Sequence, residues 1–368
     1  MELSMTTWTG TLKDGDNALA ELRVAVIGAG IAGATATRSL KEAGVGSVSL
    51  FDKGRSVGGR TSSRLIEGYL FEFGTSLISD EPKAWLSTVL QSSFGSPLTV
   101  EARSPYLSMR PQTDKVCGVS LKGGVRQLVT LQARYADHVE RSARISRVDY
   151  ECGEWWLFGH QYQEGDGEAS VKSERSWGPF NALVIAIPSP QVAQLLFSHK
   201  ASWARQALKV RYEPSITLSV CFERSVEGVP DDLPTTSSIM LLRQALPSPT
   251  HEHNTQPPDA RAWVIQMDSR WSDERLDWDP EQLKGEIIAE LSALIQAPVP
   301  ALVAWRVHRW RYASPRVTPE EASGVLYDHA MALYVCGDWT SGPNGGFAFM
   351  SGREAAQLAL GGLLKIST

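Results

Sequence analysis

RVAVIGAGIAGATATRSLKEAGVGSVSLFD, Arg23 to Asp52, is the stretch from which the rest of the chain is read. Arg23 to Ile27 is a short β-branched run, of the kind buried on both faces of a parallel sheet. Gly28, Gly30 and Gly33 follow, and then an Ala- and Leu-containing segment that predicts a helix ending at Gly44. Ser47 to Asp52 predicts the next strand. The whole is a strand-helix-strand unit with a right-handed crossover expected.

Each glycine has a separate task. Gly28 permits a tight turn, Gly30 lets a diphosphate approach the backbone, and Gly33 lets the helix pack close to the strand. With Ile31 and Ala32 between them, the free N–H groups and positive end of the helix stabilise a diphosphate. Asp52 stands 19 residues after Gly33, where its carboxylate can accept from both hydroxyls of a ribose and disfavours a 2′-phosphate. A glycine triplet alone also occurs in plain turns. The strand, the helix and Asp52 make it a predicted dinucleotide site.

Outward from this unit the signals alternate. Ala182 to Pro188 reads as a second buried strand and Ala332 to Cys336 as a third, with Gly346 to Leu364 as the closing helix. Ile216 to Glu223 alternates instead, with Ile216, Leu218, Val220 and Phe222 on one face, which predicts an antiparallel sheet covered on one side. Ile239 to Arg243, Ala262 to Asp268 and Leu302 to Trp310 look like its companions, and Glu281 to Ile295 has helical spacing. Gln163 to Ser176 reads as a hairpin tip, and the Pro-rich Leu246 to Asp259 as a loop. The expected fold is α/β: a Rossmann-like cofactor domain on a mostly parallel sheet, with an inserted α+β substrate domain on an antiparallel sheet. The expected boundaries are 1–20 for a flexible tail, 21–72, 138–204 and 311–368 for the cofactor domain, and 73–137 and 205–310 for the substrate domain.

Composition narrows the function classes. A chain of 368 residues, 42% hydrophobic and 21% charged, is ordinary globular protein with room for two domains. A net charge of −5 offers no general basic field for nucleic acid. No run of eighteen apolar residues predicts a membrane span, and Met1 to Ala20 lacks the apolar region of a secretory signal. Cys117, Cys152, Cys221 and Cys336 form no CxxC pair, so a zinc site or disulfide scaffold is not expected and a reducing, cytoplasmic setting fits. His251 and His253 flank Glu252 in the Pro-rich stretch, where a surface loop outweighs a metal site.

Two further motifs bear on the dinucleotide. Lys53 and then Gly58-Gly59-Arg60 follow Asp52, and far along the chain YVCGDW, Tyr334 to Trp339, precedes a glycine-rich turn and a helix. Taken together, VIGAGIAG, LFDKGRSVGGRTSS, ALVIAIPSPQ, AWVIQMDSRWS, HRWRYASP and LYVCGDWTSG…SGREAA resemble the flavoprotein amine oxidase superfamily, and more narrowly renalase and its bacterial relatives. The resemblance runs from about Arg23 to Leu364. It implies FAD, held non-covalently, since no cysteine stands where some amine oxidases attach flavin. By that resemblance Gly28, Gly30, Gly33, Gly59 and Arg60 hold the diphosphate, Asp52 and Lys53 sit at the adenosine end, and Arg144 offers a backbone edge to the adenine. Gly337 and Asp338 serve the ribityl chain, and Gly346, Phe347 and Phe349 approach the flavin ring.

The resemblance also implies hydride transfer from a C–H next to nitrogen, in a dihydropyridine or a small amine or N-heterocycle, with oxygen reoxidising the flavin to give peroxide. The protein then needs a dry aromatic pocket more than a dedicated acid or base. Candidate pocket residues are Leu77, Gln266, His308, Trp310, Tyr312 and Phe349, of which the aromatics and His308 read equally well as core. Two of them depart from the renalase pattern: Leu77 replaces a tyrosine, and Gln266 stands where bacterial relatives have a histidine. These changes bear on the substrate rather than on the fold, and admit a tailoring oxidase or desaturase of specialised metabolites. A non-catalytic binding protein on the same fold is the alternative from another class, as is an NAD-dependent dehydrogenase, which needs neither the GGR motif nor the terminal GD.

Overall fold

The computed structural model describes residues 16–75, 78–79, 100–102, 107–109, 118–121, 124–162, 171–247, 261–318 and 320–366. Its first layer is a six-stranded sheet in the order Leu326–Asp328, Leu333–Val335, Ala182–Ile185, Arg23–Ile27, Ser47–Phe51 and His138–Glu140. All neighbours are parallel except the edge strand Leu326–Asp328. The apolar run at Arg23–Ile27 follows from burial on both faces. Val24 and Val26 pack into one core with the helices Ile31–Glu42 and Gly345–Ile366, while Ala25 and Ile27 pack into another with Trp155, Leu157 and Val192.

The second layer is a five-stranded antiparallel sheet in the order Leu302–Pro315, Tyr212–Phe222, Ala262–Met267, Ile239–Gln244 and Leu107–Met109. The period of two along Tyr212–Phe222 separates its faces. Ile216, Leu218, Val220 and Phe222 bury against Leu283, Ile287 and Leu291 of the helix Pro280–Ile295. That helix starts on a capping box in which Asp279 accepts from the Gln282 N–H and the Gln282 side chain accepts from the Asp279 N–H. The opposite face carries Ser215, Thr217, Ser219 and Cys221, all buried.

The elements depart from the expected bounds in five places. Residues 16–20 of the expected tail form a short helix, because Leu19 is buried and its carbonyl accepts from the Gly46 N–H. The helix Arg126–Ala133, placed by sequence in the substrate domain, packs on the cofactor domain: Thr35 Oγ1 donates to Gln132 Oε1 at 2.9 Å, and Val129 and Ala133 join that core. The strand begun at Leu302 runs on to Pro315, past the expected boundary at 310. In a separate three-stranded antiparallel sheet, the strand Val171–Phe180, which pairs with Glu154–Tyr162, begins inside the expected tip 163–176, of which 163–170 lie outside the described residues. Leu246–Pro247 pairs with Leu70 and Tyr69, and residues 248–260 of the Pro-rich stretch lie outside the described residues.

Candidate cofactor and substrate site

The three glycines separate into two kinds. Gly28 has φ 107°, and a Cβ there would stand 2.3 Å from the carbonyl oxygen of Ala186. At Gly33 a Cβ would stand 1.8 Å from the carbonyl oxygen of Gly28. Both positions are closed to any side chain by the protein itself. At Gly30 a Cβ would meet nothing within 4 Å, so packing does not require glycine there. Gly30 is the N-cap of the helix Ile31–Glu42, with no side-chain cap and no acidic residue in the first turn. An open space at an uncapped helix N-terminus, lined by a glycine the fold does not need, fits a diphosphate.

Asp52 has work inside the protein as well. Its Oδ2 accepts from the Ala29 N–H at 2.7 Å and its Oδ1 from the Gly54 N–H at 2.6 Å, tying the glycine turn to the end of the second strand. Burial pushes its carboxyl above the usual range, against the pull of those two hydrogen bonds. Burial also lowers the Lys53 ammonium, with Asp52 opposing and Arg144 adding to the effect. Arg144 is exposed, on a strand whose start is bonded to this loop: the Ala143 N–H donates to the Asp52 carbonyl at 2.9 Å.

Arg60 and Asp338, assigned by sequence to different parts of the cofactor, meet. Arg60 Nη1 lies 2.6 Å from Asp338 Oδ2 and Nη2 lies 2.8 Å from Oδ1, a two-pronged pair across 278 residues, and Nη1 also donates to the Ala313 carbonyl. Asp338 follows Gly337, whose N–H donates to Ser351 Oγ and whose φ is 140°. Tyr212, which the sequence did not single out, joins the group. Its hydroxyl accepts from the Ser189 N–H, its ring meets Tyr312 edge-on at 5.2 Å, and burial, then Asp338, pushes its pKa to about 12. The helix Gly345–Ile366 differs from expectation at its start: Asn344 Oδ1 accepts from the N–H groups of Gly346 and Phe347, so those donors are engaged within the chain. Phe349 is buried nearby on the same helix.

The Arg60 backbone leads from this region to the substrate sheet. Its carbonyl accepts from the Thr75 N–H at 2.7 Å, and a Cβ on Gly74 would stand 3.2 Å from the Trp310 ring. Trp310 Nε1 donates to the Phe73 carbonyl, Phe73 stacks on Trp310 at 5.6 Å, and His308 lies 4.1 Å from Trp310 and 5.0 Å from Phe73. Across the sheet His308, Thr217, Gln266 and Leu241 stand in register on one face. Gln266 Nε2 donates to Ser215 Oγ, and the buried Thr217 Oγ1 has no hydrogen-bond partner among the described residues. Leu77 lies outside the described residues. Ser215 and Thr217 were missed because an alternating strand marks its apolar face, while the meaning of the polar positions depends on what faces them.

His308 is held neutral. Burial, then the Arg64 and Arg309 charges, bring its pKa from 6.5 down to about 4. The unfolded chain therefore binds this proton before the folded chain does. Stability from this group is complete above about 6.5 and is lost as the pH falls through the window toward 4. The wild-type melting temperature should fall more steeply across that window than that of His308→Gln. Parallel curves would contradict the assignment.

A glycine cradle on a parallel sheet, beside an antiparallel sheet with an aromatic wall, is the arrangement of a dinucleotide-dependent oxidoreductase. A family model described as NAD(P)-binding Rossmann-like domain matches residues 26–92, and one described as Flavin containing amine oxidoreductase matches residues 94–360. The chain belongs to the flavin-containing amine oxidoreductase family. Its fold is similar to that of putrescine oxidase bound to putrescine, with a TM-score of 0.63 and 14% identity over 92% of this chain and 99% of that one. Cyclohexylamine oxidase from Brevibacterium oxydans IH-35A gives 0.63 and 13% over 92% and 98%. A fatty acid isomerase from P. acnes that produces CLA gives 0.61 and 12% over 92% and 99%. One fold thus serves two amine oxidases and an isomerase, so the substrate has to be argued from the site. Among the described residues there is no group of side chains suited to a metal ion and no helix long and apolar enough to cross a membrane.

Proposed function

We propose that this chain is a renalase-like oxidoreductase that holds FAD non-covalently and oxidises a C–H next to nitrogen, in a dihydropyridine or another small N-heterocycle or amine. The observation that carries the reading is the open space at Gly30, with Gly59 against Gly30, Arg60 paired to Asp338, and the Arg60 carbonyl bonded to Thr75 beside the Phe73–Trp310 wall. When bound, the flavin supplies a two-electron acceptor for the hydride and passes the electrons to oxygen, giving peroxide. Gly30 leaves room for the diphosphate, and Asp338, oriented by Arg60, presents a carboxylate to a polyol hydroxyl. Phe73 and Trp310 exclude water from one side of the substrate. His308, neutral at physiological pH, and Gln266, oriented by Ser215, hold the substrate by uncharged hydrogen bonds. Among the described cysteines, Cys336 lies buried in the core and its thiol is pushed up to about 12, which favours a non-covalent flavin.

The test is an anaerobic spectrum of the flavin-loaded protein, recorded before and after adding dihydropyridine isomers of NAD(P)H. Bleaching of the visible flavin bands is the expected result. An unchanged spectrum removes that donor and turns the search to amines and other heterocycles. A protein that cannot be loaded with FAD removes the proposal.

A further inference from the structure

The wall around His308 is cationic on one side. Arg64 lies on the short strand Arg64–Ile66, its guanidinium 5.2 Å from the centre of the Phe73 ring. Phe73 in turn lies 5.0 Å from His308. Arg306 stands two residues before His308 on the strand Leu302–Pro315, and so on the same face, in register with Ser219 as His308 is with Thr217. Both arginines are exposed, and burial, then the Arg306 charge, then Arg55 lower the Arg64 guanidinium. Neither forms an ion pair with an acid among the described residues. Glu72, a carboxylate of the adjoining segment, is buried and faces Arg243 instead.

Like charges gathered on an aromatic wall repel one another, and a bound anion removes that cost. A protonated amine would find no counter-charge here, since His308 is neutral and its charged neighbours Arg64 and Arg309 are both cations. We propose that Arg64 and Arg306 form an anion-binding subsite at the edge of the Phe73–His308–Trp310 wall, taking a carboxylate or phosphate carried by the donor molecule. The inference rests on the reading of this face as the substrate face. It narrows the donor to an anionic one, with the oxidisable ring over the wall and its acidic group on the two guanidinium groups. Arg64 and Arg306 are then specificity-determining residues that act on binding rather than on the hydride step.

Four probes with one ring and different heads test this: benzoate, phenyl phosphate, benzyl alcohol and benzylamine. Binding is followed by tryptophan fluorescence on the flavin-free protein and by difference spectra on the flavin-loaded protein. At least one anion should bind roughly tenfold tighter than benzyl alcohol, and benzylamine weakest. Benzoate against phenyl phosphate decides which acid the subsite takes. Arg64→Gln with Arg306→Gln should remove roughly tenfold of the anion affinity and leave benzyl alcohol unchanged. Equal binding of benzylamine and the two anions overturns the inference, as does a double variant that keeps its anion affinity. The fluorescence readout separates the two failures: a protein that never takes up flavin sinks the proposed function, whereas the anion preference is decided without it.

Discussion

Gly30→Val yields a folded, colourless protein. The two isopropyl methyls enter the space where a Cβ meets nothing within 4 Å, so the fold tolerates them, and they occupy the volume in which a diphosphate would approach the helix N-terminus. Flavin affinity should fall by at least a hundredfold, on the order of 3 kcal/mol, read as visible absorbance retained after desalting. The flavin-free melting temperature should stay near that of the flavin-free parent. Gly33→Val is the contrast: its Cβ would stand 1.8 Å from the Gly28 carbonyl oxygen, so the helix must move off the turn and the protein should fail to fold. A yellow, fully loaded Gly30→Val protein would overturn the cofactor reading. A Gly33→Val protein as stable as the parent would overturn the packing argument.

That contrast shows what the sequence could and could not say. The GxGxxG spacing pointed to a strand-turn-helix unit because the pattern as a whole marks that turn. Which glycine faces the ligand and which faces the protein depends on Ala186, 158 residues from Gly28, and so needs the fold. Likewise the alternation from Ile216 to Phe222 was legible because one face packs on the helix Pro280–Ile295. The edge strand Leu107–Met109 was not, since a three-residue strand carries too little pattern to register. What the helix Arg126–Ala133 packs against was not legible either, because an amphipathic helix declares that it has a buried face but not what covers it.

The pairing of Arg60 with Asp338 is of the same kind. Each was legible as part of a cofactor motif, but their mutual contact across 278 residues was not. It changes the chemistry assigned to each. An arginine already held by two oxygens of Asp338 and by the Ala313 carbonyl is a poorer free cation for a diphosphate than the sequence suggested. The helix N-terminus at Gly30 then carries more of that task, which is why the Gly30 variant is expected to lose so much.

Glu72→Ala should be the most destabilising single change at the junction of the two sheets. Glu72 and Arg243 are 1% and 3% exposed, with Oε2 and Nη1 2.5 Å apart, and Glu72 Oε1 also accepts from the Val125 N–H. Removing the carboxylate takes a charge partner from a buried guanidinium and the acceptor from the Val125 N–H, a cost of about 3–5 kcal/mol. That is a large share of the stability of an ordinary protein, about 5–15 kcal/mol, and should appear as a fall in melting temperature on the order of 10 °C. Glu72 also precedes Phe73, so the loss should loosen the contact of Phe73 with Trp310 and change tryptophan fluorescence before unfolding. Glu72→Met combined with Arg243→Met is the decisive control. Replacing both charges by apolar groups of similar volume leaves no buried ion to solvate, so the double variant should be more stable than Glu72→Ala. A single variant that melts with the parent, or a double variant no better than the single, would mean that the pair contributes little and that the segment from Glu72 to Gly74 is held in place by the Trp310 contacts alone.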